Sequence, residues 1–378
     1  MNQRLNQQSI DLHRHLKGKL STQSKLPLNS KDSLSLAYTP GVAAVCQKIA
    51  QEPEEAFNLT IKNNTIAVIS DGTAVLGLGN IGALAAIPVM EGKCAIFKEF
   101  AGLNAFPICL DTQDTKEVID TIIKISPVFG GINLEDIAAP RCFEIERALQ
   151  EKLSIPVFHD DQHGTATVVL AALLNAIKIK GLTRETKIVI NGAGAAGLAI
   201  AVLLLEAGFS NILICDSKGI LNPNRIDLHS EKQLLANRTN SQNITGSLHT
   251  ALSNAAIFIG VSKGNILTPE LINSMETEPV IFALANPTPE IMPDEAIKAG
   301  ASIVATGRSD FPNQINNALV FPGIFRGALD NKVRKITNAM LINAAKNLSD
   351  LVPTPSESKL LPELLDTSAV SAVARAIT

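Results

Sequence analysis

Tryptophan is absent from these 378 residues, tyrosine occurs once, and aromatic residues make up only 4%. Proteins that grip single-stranded nucleic acid stack the bases on aromatic rings, so a platform of that kind is excluded. A basic excess is missing too: 33 Lys plus Arg face 36 Asp plus Glu, a net charge of -3. No nucleic-acid partner is expected from such a balance. Long apolar runs are also lacking. The longest lie near residues 74–90, broken by Asn80, and 192–205. Both are rich in Gly and Ala and fall short of the roughly 20 residues that span a bilayer, so no membrane partner is expected either. The opening MNQRLNQQSIDLHRHLKGKL has no apolar core of the secretory type. Cysteine is sparse, with five residues at 46, 94, 109, 142 and 215. Their odd number and the lack of any CxxC pair point to a reducing cytoplasm rather than a disulfide framework.

Apolar residues are nevertheless plentiful. They make up 46% of the chain against 18% charged, which excludes bulk disorder. At roughly 150 residues per domain the length suggests two domains. Short apolar runs at 65–70 (TIAVIS), 94–97 and 155–158 read as strands, and 116–126 and 140–152 carry helical spacing. Strands alternating with helices imply an α/β class with a mostly parallel sheet. An apolar, helix-forming stretch at 164–180 follows, suited to bridging two domains. A second α/β series has expected strands at 187–191, 211–215, 256–260, 280–283 and 302–305. Residues 222–246 are polar and Asn-rich and read as a surface excursion. The last 50 residues read as helical, with a proline-containing loop at 353–355. We therefore divide the chain into a smaller N-terminal α/β domain, 1–162, and a C-terminal, doubly wound parallel sheet, 163–378, with a helical tail.

Two glycine-rich turns stand out. In KIVINGAGAAG (187–197) a β-run enters Gly192, Ala193, Gly194, Ala195, Ala196 and Gly197, and an Ala/Leu-rich helix leaves. The first glycine permits the tight turn, the second lets a pyrophosphate approach the backbone, and the third lets helix and strand pack closely. The next strand ends at Asp216, 24 residues after Gly192, where an acid would bind ribose hydroxyls. This is the Rossmann pattern, and it implies NAD or NADP. Asp216 favours NAD, because a carboxylate repels a 2′-phosphate, whereas Lys218, after Ser217, would attract one. The second turn, 77–82 (GLGNIG), also follows a strand, but Asp71, Gly72 and Thr73 intervene. We read it as a backbone bend beside an active site.

Acidic pairs occur at Glu135 and Asp136, in GGINLEDIAAP, and at Asp160 and Asp161, in PVFHDDQHGTA. The second pair ends a strand-like run, where open α/β sheets bind ligands. Carboxylates without cysteine suit a hard cation, Mg²⁺ or Mn²⁺. His159 and His163 have the i, i+4 spacing of a helical zinc pair, but Gly164 and the PVF run argue against a continuous helix there; neutral hydrogen-bonding roles fit better. Tyr38, in SLAYTPGVA, sits on a turn and reads as a half-buried packing residue. Lys93, in MEGKCAIFKEFAG, lies just before an expected strand whose other end carries Lys98. It is either a snorkelling side chain or, if desolvated, a base of lowered pKa.

The stretches LAYTPGVA, SDGTAVLGLGNIG, EGKCAIFKEFAG, INLEDIAAPRCFEIE, VFHDDQHGTA, INGAGAAG, FALANPTPE and NNALVFPGIFRGAL, in this order, resemble the malic enzyme family, especially its short bacterial type. The resemblance implies oxidative decarboxylation of L-malate to pyruvate and CO₂ with reduction of NAD(P)⁺. It implies a metal- and substrate-binding first domain and a dinucleotide-binding second. By resemblance, Lys93 is the general base, Tyr38 the acid that protonates C3, and Asp160 the partner that tunes Lys93. Glu135, Asp136 and Asp161 hold the divalent metal. Asn286 and Asn317, with Asn316 as a substitute, bind the substrate carboxylate, and Val261 and Ser262 line the ribose. Larger relatives carry an Arg at the position of Ala74. A homodimer or larger homo-oligomer is the expected assembly. The competing readings are a dehydrogenase that does not decarboxylate and a catalytically silent NAD sensor; intact Lys93, Tyr38 and the acidic set argue against both.

Overall fold

The structure, a computed structural model, describes residues 3–75 and 77–378. Strands Thr65–Ser70 (β1), Asn104–Cys109 (β2), Gly131–Leu134 (β3) and Val157–His159 (β4) form a first, wholly parallel sheet in the order β2-β1-β3-β4. Strands Ile188–Asn191 (β5), Ile212–Asp216 (β6), Gly219–Ile220 (β7), Ile257–Gly260 (β8), Val280–Ala283 (β9) and Ile303–Thr306 (β10) form a second, in the order β10-β9-β8-β5-β6-β7. Only β7 runs antiparallel. The two-sheet α/β architecture read from the sequence is thus the observed one. In each sheet the strand order reverses once, between β1 and β3 and between β5 and β8. A crevice opens at such a reversal, beyond the strands' carboxyl ends.

Both faces of the second sheet are covered. Ile188 and Ile190 of β5 join the large core that spans the two sheets, while Val189, pointing the other way, joins a separate apolar cluster. The helix Thr165–Lys180 carries eleven buried residues and packs against the helices Ala195–Glu206 and Asn338–Ser349. Its one buried amide, Asn175, donates to the carbonyls of Ser349 and Leu360 at 2.9 and 2.8 Å.

Two local expectations fail. Residues 94–97 are not a strand; they lie in the helix Gly82–Ala101, whose buried face is Ala83, Ala86, Met90, Lys93, Cys94 and Phe97. A four-residue apolar run does not distinguish a strand from a buried helical turn, and here the wider three-to-four spacing decides. Strands β2 and β3 were not anticipated. Pro107 masks β2, which tolerates it as an edge strand. The expected excursion at 222–246 contains the helix Ser230–Thr239. Near the N-terminus, the helices Lys31–Ala37 and Val42–Gln51 bury none of their residues.

Candidate active site

Three neighbouring strands of the first sheet end in acids. Asp71 follows β1, Glu135 and Asp136 follow β3, and Asp160 and Asp161 follow β4. The sheet order therefore collects carboxylates that lie up to 90 residues apart in sequence. Asp71 is buried and pairs with Arg141 at 2.8 Å. Its other oxygen accepts from the Thr73 hydroxyl at 2.6 Å, and Thr73 Oγ1 in turn accepts from the Ala138 amide at 2.9 Å. Ala74 donates its amide to the Asp136 carbonyl at 2.9 Å. These bonds brace the loop carrying Glu135 and Asp136. Asp136 has φ of 53°, a left-handed conformation uncommon for a residue with a side chain.

Lys93 reaches this group from the helix that links β1 to β2. Its ammonium is 2.9 Å from Glu135 Oε1, is hydrogen-bonded to Asp160 Oδ2, and lies 4.2 Å from the centre of the Phe321 ring. Asp160 has no exposed surface. Carboxylate oxygens of Glu135, Asp136 and Asp161 lie within 4.8 Å of one another. Three carboxylates without sulfur suit a hard divalent cation, and four buried or half-buried acids around one ammonium leave an excess of negative charge that such a cation would balance.

Electrostatics at the centre follow from burial first. Burial pushes the Asp160 carboxyl up to about 6, against the pull of Lys93, and raises Glu135 and Asp161 as well. For Lys93, burial favours the neutral amine, but Asp160, Glu135 and Asp161 outweigh it and raise the pKa above the ordinary lysine value. A lowered lysine pKa was expected from desolvation; the adjacent carboxylates reverse its sign.

The segment carrying Asp160 and Asp161 is a π-helical turn, Asp160–Gly164. Gly164 is required there: a Cβ would overlap the Asp160 carboxylate, and would stand 3.5 Å from Asn317 Cβ. Asn317 thus lies beside the lysine–carboxylate pair. The Asn316 side chain instead accepts from the Ala318 amide at 2.9 Å, capping the turn Asn317–Leu319. Asn286 lies beside the first glycine-rich turn and the end of β10, since a Cβ on Gly77 would overlap its carbonyl oxygen and one on Gly307 would come 2.8 Å from its amide nitrogen. His159 is fully buried, and burial lowers its pKa to about 4. His163 is 2.9 Å from Glu146. Burial opposes its charge, but Glu146 outweighs burial and raises its pKa above the ordinary imidazole value. Tyr38 stands apart. It ends the helix Lys31–Ala37 and is 65% exposed rather than half-buried.

The dinucleotide side is built at the reversal of the second sheet. A Cβ on Gly192 would stand 2.6 Å from the Val261 carbonyl, and one on Gly197 would overlap the Gly192 carbonyl; a Cβ on Gly194 would meet nothing within 4 Å. The first and third glycines are therefore needed for packing, while the second leaves room above the helix Ala195–Glu206, which begins with Ala195 and Ala196. Asn191 donates to Ser262 Oγ at 2.8 Å across the reversal. Asp216 ends β6 as expected, but its carboxylate is already engaged. It accepts from the Lys218 amide, from both Arg225 terminal nitrogens and from Lys232, at 2.9–3.0 Å. Lys218 Nζ pairs with Asp227 at 2.8 Å.

Sequence reading passed over Glu290 and Glu146. Glu290 is fully buried and accepts from the amides of Ser262 and Ala285, at 3.1 and 3.0 Å, tying the loop after β8 to the loop after β9. Burial raises its pKa. Its signal was present in NPTPE, as an acid enclosed by prolines. Glu146 offered none, because its partners lie 13 to 17 residues away.

Known proteins share the sequence and fold of this chain. Residues 17–150 match the family "Malic enzyme, N-terminal domain" and residues 162–378 match "Malic enzyme, NAD binding domain". The chain is 52% identical over 366 residues to an NAD-dependent malic enzyme of Geobacillus stearothermophilus, covering 96% of this chain and 76% of the relative. It is 49% identical to a bifunctional malic/malolactic enzyme of Bacillus subtilis, covering 99% and 92%. A crystal structure of an NAD-dependent malic enzyme from Thermotoga maritima superposes with a TM-score of 0.94 at 50% identity, covering 97% and 98%. NADP-dependent malic enzymes are among the relatives too. Both domain matches, the identities and the shared fold place the chain in the malic enzyme family, oxidoreductases that couple oxidative decarboxylation of malate to reduction of a nicotinamide dinucleotide.

Proposed function

We propose that this chain oxidises and decarboxylates L-malate to pyruvate and CO₂ with NAD⁺ or NADP⁺. The observation that carries the reading is Lys93 held between Glu135 and Asp160 beside the triad Glu135, Asp136 and Asp161. Lys93 Nζ accepts the C2 hydroxyl proton as hydride leaves for the nicotinamide. Asp160 fixes the direction of that amine. Glu135, Asp136 and Asp161 would hold a Mg²⁺ or Mn²⁺ ion, which would supply Lewis acidity to the reaction. A cation there would offset the charge of Glu135 and Asp161, two of the acids that raise the Lys93 pKa, and so would favour the neutral amine that a base requires. Asn317, beside Asp160, and Asn286 bind substrate carboxylate oxygens. Tyr38 delivers the proton to C3.

On the cofactor side, Gly192, Gly194 and Gly197 receive the pyrophosphate, and Val261 and Ser262 line the ribose. Asp216, already neutralised by Arg225 and Lys232, no longer argues strongly for NAD, and we assign use of both dinucleotides. Among the described residues no helix is long and apolar enough to cross a membrane. We place the protein in the cytoplasm, in keeping with five unpaired cysteines. We assign a homodimer or larger homo-oligomer, because the helices flanking Tyr38 bury nothing within their own chain.

A single assay tests the reading. Absorbance at 340 nm should rise on adding malate to enzyme, Mn²⁺ and dinucleotide, with one CO₂ released per NAD(P)H formed. Reduction without CO₂ would assign a simple dehydrogenase, and no reduction would remove the catalytic assignment.

A further inference from the structure

Glu146 lies on the helix Arg141–Lys152, across the π-helical turn from Lys93, and is 6% exposed. Its carboxylate grips the turn at both ends. Oε1 accepts from the His159 amide at 2.9 Å, just before Asp160. Oε2 meets Gln162 Nε2 at 3.2 Å and His163 Nε2 at 2.9 Å, just after Asp161. Between those two anchors the chain turns Asp160 and Asp161 to the opposite side, toward Lys93 and toward the Asp136 amide. Glu146, Gln162 and His163 line a separate cleft of about 510 Å³, to which Lys93, Glu135, Asp136, Asp160 and Asp161 contribute nothing. Glu146 therefore touches neither the reacting centre nor the cation ligands.

We propose that Glu146 is a positioning residue: by holding residues 159, 162 and 163 with one carboxylate, it sets where Asp160 meets Lys93 and where Asp161 meets the divalent cation. The proposal rests on the reading of Asp160 and Asp161 given above. A π-helical turn contains one residue more than the α-helical form, and such turns recur at functional sites because they re-aim side chains. Here the extra residue has an identifiable restraint. Two hydrogen bonds within the turn, at Gln162 and His163, and one just before it, at His159, keep it from relaxing into the helix that follows. Charge-assisted hydrogen bonds of this kind are stronger than neutral ones and direct geometry more tightly.

Glu146→Gln is the decisive variant. It keeps an oxygen for the His159 amide but presents an N–H group to Gln162 and His163. The full-length protein is measured for amide hydrogen exchange in residues 159–164 without metal, for Mn²⁺ binding by electron paramagnetic resonance, for malate turnover and for NADH binding. Exchange in 159–164 should accelerate at least tenfold. The Kd for Mn²⁺ should rise, and kcat/KM for malate fall, at least tenfold, with the NADH Kd within twofold of the parent protein. A folded variant with unchanged exchange overturns the clamp. Faster exchange with unchanged Mn²⁺ binding and turnover overturns its positioning role. If Glu146→Gln does not fold, His163→Ala removes one anchor at a partly exposed site and is judged by the same readouts, with threefold changes expected. Failure of the parent protein itself to bind Mn²⁺ would undo the cation reading, while hydrogen exchange would still decide whether Glu146 holds the turn.

Discussion

The backbone amide of Asp136 donates to the carboxylate of Asp161 at 2.8 Å, joining the loop after β3 to the loop after β4. Two cation ligands are thereby registered against each other before any ion arrives. Turnover should require Mg²⁺ or Mn²⁺ and stop with EDTA. Asp161→Asn can keep an oxygen for the Asp136 amide, so it should fold while its Mn²⁺ affinity drops at least ~10-fold, or about 1.4 kcal/mol. Full turnover in metal-free protein would refute the assignment.

Removal of Lys93 should affect chemistry and stability together. Lys93→Ala should lower kcat for malate oxidation by at least ~10², the low end for loss of a general base, with NADH binding retained. It also leaves Asp160 and Glu135 without their cation. Breaking a buried pair from one side costs about 3–5 kcal/mol, so the metal-free variant should unfold at a lower temperature. Near-normal kcat would move the base role elsewhere.

Stability of the metal-free protein should depend on pH in a particular sense. Burial raises Asp160 to about 6 and also raises Glu135 and Asp161 above the carboxylate range. The folded state then binds more protons than the unfolded chain, so these groups stabilise most at low pH and lose that contribution as pH climbs from about 4 through about 7. Lys93, raised from an already high value, stays protonated throughout this window. Calorimetry should show this contribution to Tm declining across the window in the parent protein more than in Asp161→Asn, with Mn²⁺ flattening the trend. A rise attributable to these groups would contradict the sign.

Asp216 carries four hydrogen bonds from Lys218, Arg225 and Lys232. A carboxylate has about four acceptor sites, so a ribose hydroxyl must displace one of these donors. The values of kcat/KM for NAD⁺ and NADP⁺ should lie within about tenfold, or ~1.4 kcal/mol. Arg225→Ala should shift the ratio toward NAD⁺. A hundredfold preference for NAD⁺ would show that Asp216 acts as though unpaired, and a hundredfold preference for NADP⁺ would show that its cationic partners take the 2′-phosphate instead.

Emission from tyrosine reports position 38 alone, because the chain has no tryptophan and one tyrosine. Iodide should quench it in the free protein, where the ring is 65% exposed. Mn²⁺ plus a malate analogue should protect it, and Tyr38→Phe should slow pyruvate formation more than malate binding. Unaltered quenching together with an active Tyr38→Phe enzyme would return Tyr38 to a packing role.

Much of this was legible in the chain because its chemistry is local. The turn from Gly192 to Gly197, the acids at 135–136 and 160–161, and strands such as 280–283 declare themselves by spacing within a dozen residues. Lys93 was placed beside the wrong element: CAIF reads as a strand until Ala83, Ala86 and Met90 are counted on the same helical face. Glu146 and Glu290 escaped for another reason. Each acts by accepting backbone or amide hydrogens from segments that only the tertiary fold brings near. The sign of the Lys93 shift escaped similarly, since it depends on three acids contributed by two other strands.

The turn Asp160–Gly164 packs directly on the helix Ala195–Glu206, and the helix Thr165–Lys180 that continues from it packs there too. One end of this joined unit carries the acids and the other opens at the dinucleotide's glycines. The acids and the glycine turn are thus carried by elements packed on one another. Separating the acids from the glycine turn would therefore require these packed helices to part, exposing their buried faces to water.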